Sequence, residues 1–411
     1  MQMMKFITGA FWLLFFLLPR DTVAISLSQA VSMGLAVHPK ILAARSEVEQ
    51  SAIDVDIAKS GYLPALTMSS GPQGAHLQTM GYDITATQML YDWGRVESLV
   101  AEADAMRRMR RAELMVARDD AALDIIEVFF DVLQAEKCVE AVEQYRKALE
   151  NIHAMAQSRD QHGYSDRSEL ERTELEILRA QEQLAQEEGK RQEAAEQFQL
   201  LVGKPAFGLL FPPSVFSKQE LLPQNIDEVI KYSPLFIKSQ ADVEIAETQL
   251  RHARASLLPQ LNLEATTQRR EIGGRMESDN VMSLRFRMDT IQGLANFQRP
   301  AASAQKLQGA RWTLNAVSRD IRRQVQSLSE KRKTLIRREH TLTQQIAASA
   351  KVSELYREQF EVGHRDIVDL LNVQHERIEG IKQLIALRIE QERIVYRISA
   401  QVGKLMQLIG E

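Results

Sequence analysis

Eight histidines and a single cysteine are the readiest ligands and nucleophiles in this chain of 411 residues, and none stands in a spacing that catalysis uses. No HExxH element sets two imidazoles and a carboxylate on one helix face, and no P-loop, strand-borne GxGxxG or GxSxG element occurs. Cys138 has no second thiol to pair with, and the histidines are scattered. The residues therefore predict no enzyme, no cofactor and no metal site. Charge is plentiful but balanced: 51 Lys and Arg against 55 Asp and Glu, a net charge of −4, which argues against nucleic acid as a partner. Basic groups such as Arg322, Arg323, Lys331, Arg332 and Lys333 are most simply a solvated helix face.

Composition describes the scaffold behind those charges. Hydrophobic residues make up 45% and charged residues 26%, which excludes a disordered chain. Aromatics at 6% and only 11 prolines point to long helices. Residues 1–24 read as a secretory signal: Lys5, an apolar run from Phe6 to Leu18, then small residues near Val23 and Ala24. That run is about 13 residues, short of the ~20 a spanning helix needs. No cysteine follows it, so no thioether-linked lipid is expected on the mature N-terminus. No later segment reaches 18 apolar residues in a row, so an exported chain of this kind is either soluble or crosses a membrane as β-strands.

The chain repeats itself once. An offset of 195 aligns Pro39 with Pro234, Glu49 with Glu244, and Leu63-Pro64 with Leu258-Pro259. An offset of 200 aligns Gly163, Asp166 and Leu170 with Gly363, Asp366 and Leu370, and Val202-Gly203-Lys204 with Val402-Gly403-Lys404. Ordered matches at nearly constant offset predict a duplicated unit. The first repeat covers 25–204, a proline-rich linker 205–223, and the second repeat 224–411. Each repeat predicts a helix starting after Pro39 or Pro234 and stopping before Pro64 or Pro259. A β-hairpin follows, over Ala65–Asp92 and Gln260–Asp289; Leu261, Leu263, Ala265 and Met282, Leu284, Phe286, Met288 alternate as strands do. A long helical hairpin then turns near Gly163 or Gly363, and a continuous arm from Gly94 to His162 would be ~100 Å long. Ile321, Leu328, Leu335 and Leu342 recur every seven residues, beside Val325 and Ile346. Phe129, Val132, Ala135, Val139 and Val142 step by three and four, and such seams want partner helices at coiled-coil angles. The second long run is expected to begin after Pro300.

Two hairpins on such arms cannot bury a core alone. Strands from several chains closing one barrel would remove every edge, and ~9–11 residues suffice for a membrane-crossing strand.

These residues carry a resemblance. Ala58-x-x-Gly61-Tyr62-Leu63-Pro64, its counterpart Ala253-x-x-Ser256-Leu257-Leu258-Pro259, Leu90-Tyr91-Asp92-Trp93-Gly94, and Phe360-x-x-Gly363-x-x-x-Ile367-x-Asp369-Leu370-Leu371 resemble the outer-membrane efflux and secretion channel family typified by TolC. The resemblance implies a mainly α fold with a membrane β-barrel. Long antiparallel helical hairpins would form an α-barrel, and four strands per protomer would complete a twelve-stranded barrel in a homotrimer. It places the protein in the outer membrane of a Gram-negative bacterium, touching outer-membrane lipid and extending into the periplasm. Its implied partners are a periplasmic adaptor (membrane fusion) protein and an inner-membrane transporter of ABC type.

The resemblance also assigns the tip. Gly163 and Gly363 would be the periplasmic turns and adaptor contacts, flanked by His162 and His364. Asp369 would point into the pore as a carboxylate ring. Asn372 stands where a second acid is frequent in the family, so the ring is single and less cation-selective. Arg365 would tie the tip closed with Glu169 as partner, worth ~0.5–1 kcal/mol per chain. Phe360 stands where relatives often carry tyrosine, so its ring offers no hydrogen bond. The leading use is the outer component of a type I protein secretion system, with small-molecule multidrug efflux as the alternative within the class. A soluble periplasmic coiled-coil adaptor is the alternative outside it.

Overall fold

The computed structural model describes residues 24–72, 80–162, 167–214, 226–272, 275–288 and 295–410. The signal segment, apart from Ala24, lies outside the described residues, and so do Gly163 and residues 215–225. The element order is α1 (Leu27–Val37), α2 (Pro39–Lys59), β1 (Ala65–Pro72), β2 (Met80–Tyr91), α3 (Arg95–Gln161), α4 (Arg167–Val202), α5 (Ile226–Ile230), α6 (Pro234–Ala255), β3 (Gln260–Ile272), β4 (Arg275–Arg287), α7 (Ala295–Glu361), α8 (Ile367–Gln401) and α9 (Leu405–Ile409).

Three boundaries differ from the sequence reading. Helices α2 and α6 begin at Pro39 and Pro234 themselves, not after them. Proline suits the first helical position, where its missing N–H is an orphan anyway. Helix α7 begins at Ala295 and carries Pro300 inside it as its sixth residue, where the missing N–H leaves the carbonyl four residues back without its helical bond. Helix α1 was not expected; its signal is the capping box of Ser26 and Gln29, each side chain bonded to the other's backbone N–H.

Helices α3 and α7 are each 67 residues, ~100 Å at 1.5 Å per residue. The seams read from sequence are buried. Phe129, Val132, Ala135, Val139 and Val142 on α3 lie in the core, and so do Ile321, Val325, Leu335 and Leu342 on α7. The largest core joins α1, α3, α4 and α8, with Phe129 and Phe130 at its centre. Phe130 meets Tyr396 at 5.9 Å and Phe211 at 6.3 Å between ring centroids. Residues 205–214 thus lie on the core rather than hanging between halves, and Ser214 donates to Glu392 of α8. Charge pairs bridge α3 and α8: Arg397 forks onto Glu127 at 2.6 and 2.9 Å, and Arg393 reaches Asp131 at 2.6 Å. Arg–carboxylate forks of this kind set the register of helices that offer little else to distinguish one turn from the next.

The strands form one antiparallel four-stranded sheet in the order β1-β2-β3-β4. Strand β2 joins β3 from the other half, with Thr85 opposite Thr266 and their hydroxyls 3.1 Å apart. The turn from β2 into α3 explains the Tyr91-Asp92-Trp93-Gly94 run. Trp93 and Gly94 both have left-handed backbone, at φ 61° and 78°. Asp92 accepts from Gly94 N–H at 3.0 Å and Val96 N–H at 2.6 Å, satisfying donors at the start of α3. Trp93 Nε1 donates to the Pro259 carbonyl at 2.9 Å, and Arg95 donates to those of Ser256 and Leu258 at 3.2 and 3.0 Å. This corner therefore pins the two halves together where helices give way to sheet.

Candidate functional site

The sheet has two unlike faces. One carries Leu66 and Met68 on β1, Ile84 and Ala86 on β2, Leu261 and Leu263 on β3, and Met282, Leu284 and Phe286 on β4, all in register. Leu66, Met68, Met282, Leu284 and Phe286 are 64–75% exposed. The other face carries Thr67, Thr85, Thr87, Asn262, Glu264, Thr266 and Arg285. An apolar face left open to the surroundings, backed by a polar one, is the alternation of a lipid-facing barrel wall. Strands β3 and β4, at 13 residues each, exceed the ~9–11 needed to cross a bilayer. Among the described residues, edges β1 and β4 have no strand partner beyond them. Among the described residues no helix is long and apolar enough to cross a membrane.

At the far end of the long helices lies the tip. Helix α7 closes on Gly363, at φ 81°. Its N–H bonds to Phe360 O at 3.0 Å and that of His364 to Gln359 O at 2.8 Å, a left-handed helix stop that glycine adopts without steric cost. Asp366 then caps α8 by accepting from Val368 N–H at 2.8 Å. Asp369 sits in the first turn of α8, with its side chain 47% exposed, and Asn372 follows on the exposed side. His364 and His162 are exposed, and His162 ends α3 with Nδ1 2.6 Å from Ser158 O.

Two sequence expectations change here. Arg365 was expected to pair with Glu169. Its Nε lies 3.0 Å from Asp369 Oδ2 and its guanidinium stacks on Tyr356 at 3.8 Å. The reason is local: Arg365 lies in the bend just before the Asp366 cap, within reach of the first turn of α8 where Asp369 stands. Glu169 is half-buried on the first turn of α4, in the other hairpin. Phe360, which the resemblance sets at the pore constriction, is fully buried in a core shared by α3, α4, α7 and α8. It acts there as packing, since an apolar ring next to Leu149 and Ile152 has no reason to face water.

Sequence reasoning missed Arg159 and Tyr356. The Arg159 guanidinium lies over the Phe360 ring at 4.3 Å and donates to the Phe360 carbonyl, so the end of one hairpin is fastened to the end of the other. Tyr356 and Phe360 at a four-residue spacing were the available signal, an aromatic pair on one helix face above basic residues. Just inside the tip, His153 Nδ1 meets Thr173 Oγ1 at 2.7 Å between α3 and α4, and Gln374 donates to Ser353 at 2.6 Å between α8 and α7. Among the described residues no group of His, Cys, Asp or Glu is placed to hold a metal.

The model of one family, outer membrane efflux protein, matches residues 30–204 and 225–404. The chain belongs to that family. Comparison with curated proteins finds no match. Solved structures share the fold of this outer membrane efflux protein at low identity. CusC is 14% identical with a TM-score of 0.79, covering 94% of this chain and 92% of its own. The outer-membrane channel OprN is 13% identical with a TM-score of 0.80, covering 92% and 90%. The open-state MtrE outer-membrane channel of Neisseria gonorrhoeae is 17% identical with a TM-score of 0.78, covering 92% and 89%. The efflux protein is thus an outer-membrane channel of Gram-negative bacteria whose helices reach into the periplasm. Channels of its family work with a periplasmic adaptor and an inner-membrane transporter.

Proposed function

We propose that three copies close the four-stranded sheet into one twelve-stranded barrel. The duct so formed is the outer component of a type I protein secretion system, fed by an ABC-type transporter through its adaptor. The observation that carries the assembly is the open sheet: an apolar face 64–75% exposed at five positions and two unpaired edges, which neither water nor a single chain can accommodate. The assignment to protein secretion rests on the resemblance of the second half, residues 224–411. In this reading 1–24 is removed on export, and the two repeats, 25–204 and 224–411, contribute two strands each.

The tip is the gate. Asp369 from each chain converges as a carboxylate ring, with Asn372 below it adding no charge. Arg365 holds Asp369 and Tyr356 in one cluster, and the turn at Gly363, with His364 and His162, meets the adaptor, as Gly163 does in this reading. Glu169 stands in the neighbouring hairpin as the acid that a moving Arg365 would meet.

Deleting the gene and assaying both secreted polypeptides and drug sensitivity tests the use. Loss of a secreted polypeptide supports the reading. Unchanged secretion with new drug sensitivity assigns the duct to small-molecule efflux instead. A monomer recovered in detergent-free periplasmic extract would refute the membrane barrel.

A further inference from the structure

The polar face of the sheet carries an uneven charge that the tip does not use. Glu264 on β3 is 5% exposed. Its carboxylate is held by two arginines of β4, Arg285 Nε at 3.0 Å and Arg287 Nη2 at 3.2 Å. The register puts Ser283 opposite Glu264, with Arg285 and Arg287 at the next two positions on the same face, so both arms reach diagonally to one acid. Two guanidinium groups against one carboxylate leave one positive charge, 2 − 1 = +1, and the arginine side chains remain 62% and 56% exposed. Nearer the hairpin ends the same face carries Arg270, Arg275, Glu277, Asp279 and Asp83, 2 − 3 = −1. The excess of positive charge is therefore confined to the end where the strands meet the helices, next to the corner of Trp93 and Pro259.

A buried carboxylate needs one good partner to offset its desolvation, and a second exposed arginine is surplus to that need. We propose that Arg285 and Arg287, on the face that lines the pore, form a net-positive belt at the end of the barrel where the strands meet the helices, which favours anionic groups on the exported solute. This rests on the trimeric barrel reading. Three copies would set a positive collar above the negative one at Asp369, so a solute passes a cation-favouring tip and then an anion-favouring belt where the helices give way to the sheet.

The test is the reversal potential of the full-length protein in a planar bilayer under a KCl gradient, for wild type, Arg285→Gln, Arg287→Gln and Glu264→Gln. Each arginine variant should move the chloride-to-potassium permeability ratio about twofold toward potassium at low salt, since a unit charge within about 10 Å of a passing ion contributes roughly RT or less. Glu264→Gln should move it a similar amount toward chloride. These opposite signs distinguish a pore charge from a fold effect. Unchanged potentials in variants that conduct normally, or shifts of one sign in all three, would overturn the belt and leave the channel standing. Arg287→Gln keeps Arg285 on Glu264, so the test survives a folding failure of Glu264→Gln. No conductance from correctly folded wild type would instead overturn the barrel reading.

Discussion

Replacing Arg159 by alanine should loosen the closed tip. Its contacts crossing from the α3–α4 hairpin to the α7–α8 hairpin include the stack at 4.3 Å on Phe360 and the hydrogen bond to its carbonyl. A half-buried cation–π contact is worth about 1 kcal/mol. A charged hydrogen bond at a half-buried site adds about 1 kcal/mol after discount for solvent. The loss is then about 2 kcal/mol per chain, and about 6 kcal/mol if three tips move together. That matches the roughly 5.5 kcal/mol that carries a two-state equilibrium from 1:99 to 99:1. Phe360 itself stays packed, because its burial comes from α3 and α8 neighbours rather than from Arg159 alone. Single-channel recording in planar bilayers should show a raised resting conductance for Arg159→Ala. Hydrogen exchange should quicken at 156–162 and 356–366 and nowhere along the middle of α3. Arg159→Lys should fall between, since an ammonium keeps the charge but not the planar stack. Wild-type conductance and exchange in Arg159→Ala would refute the reasoning and leave general helix packing as what closes the tip.

Three further outcomes are expected. Asp369→Asn should weaken cation preference in the same bilayer assay; an identical potential would remove Asp369 from the pore. Gly363→Ala should cost about 1 kcal/mol through its φ of 81°, read as a lowered thermal midpoint, and a neutral result would mean that the turn can rebuild itself. Burial and the neighbouring charge of Asp120 push the Asp119 carboxyl up to about 6. The folded state then holds its proton more tightly than the unfolded chain, so the group is harmless below pH ~4 and destabilises as pH rises through ~6. Asp119→Asn should therefore stabilise by about 1 kcal/mol at pH ~7.5, after discount for its partial exposure, and by almost nothing at pH ~4. An equal gain at both would sink that account.

Periodicity carried the long helices and the strands because burial imposes it directly. Phe129 through Val142 and Ile321 through Leu342 had to face a core, and alternation from Leu261 to Ala265 had to split two faces. Helix starts were less legible: Pro39 and Pro234 begin their helices, since proline serves both as breaker and as first-turn former, and Pro300 lies within α7, which tolerates the lost bond. At the tip, sequence pointed to Arg365, Asp369 and Gly363 but not to their partners. Arg365, in the bend between α7 and α8, takes Asp369 on the first turn of α8 and Tyr356 on α7, and Arg159 reaches a carbonyl 201 positions away.

By itself, then, the sequence determined what each stretch must bury, where glycine must relieve a turn, and the two-part order of helix, hairpin and long helical arm. Those are local consequences of side-chain type and spacing. Only the tertiary structure decided which charge meets which, that Phe360 is packed rather than lining, and that Glu264 sits between two arginines on the polar face. Such pairings depend on the relative register of elements far apart in the chain, and a long helix or strand offers a similar choice of partners at every turn.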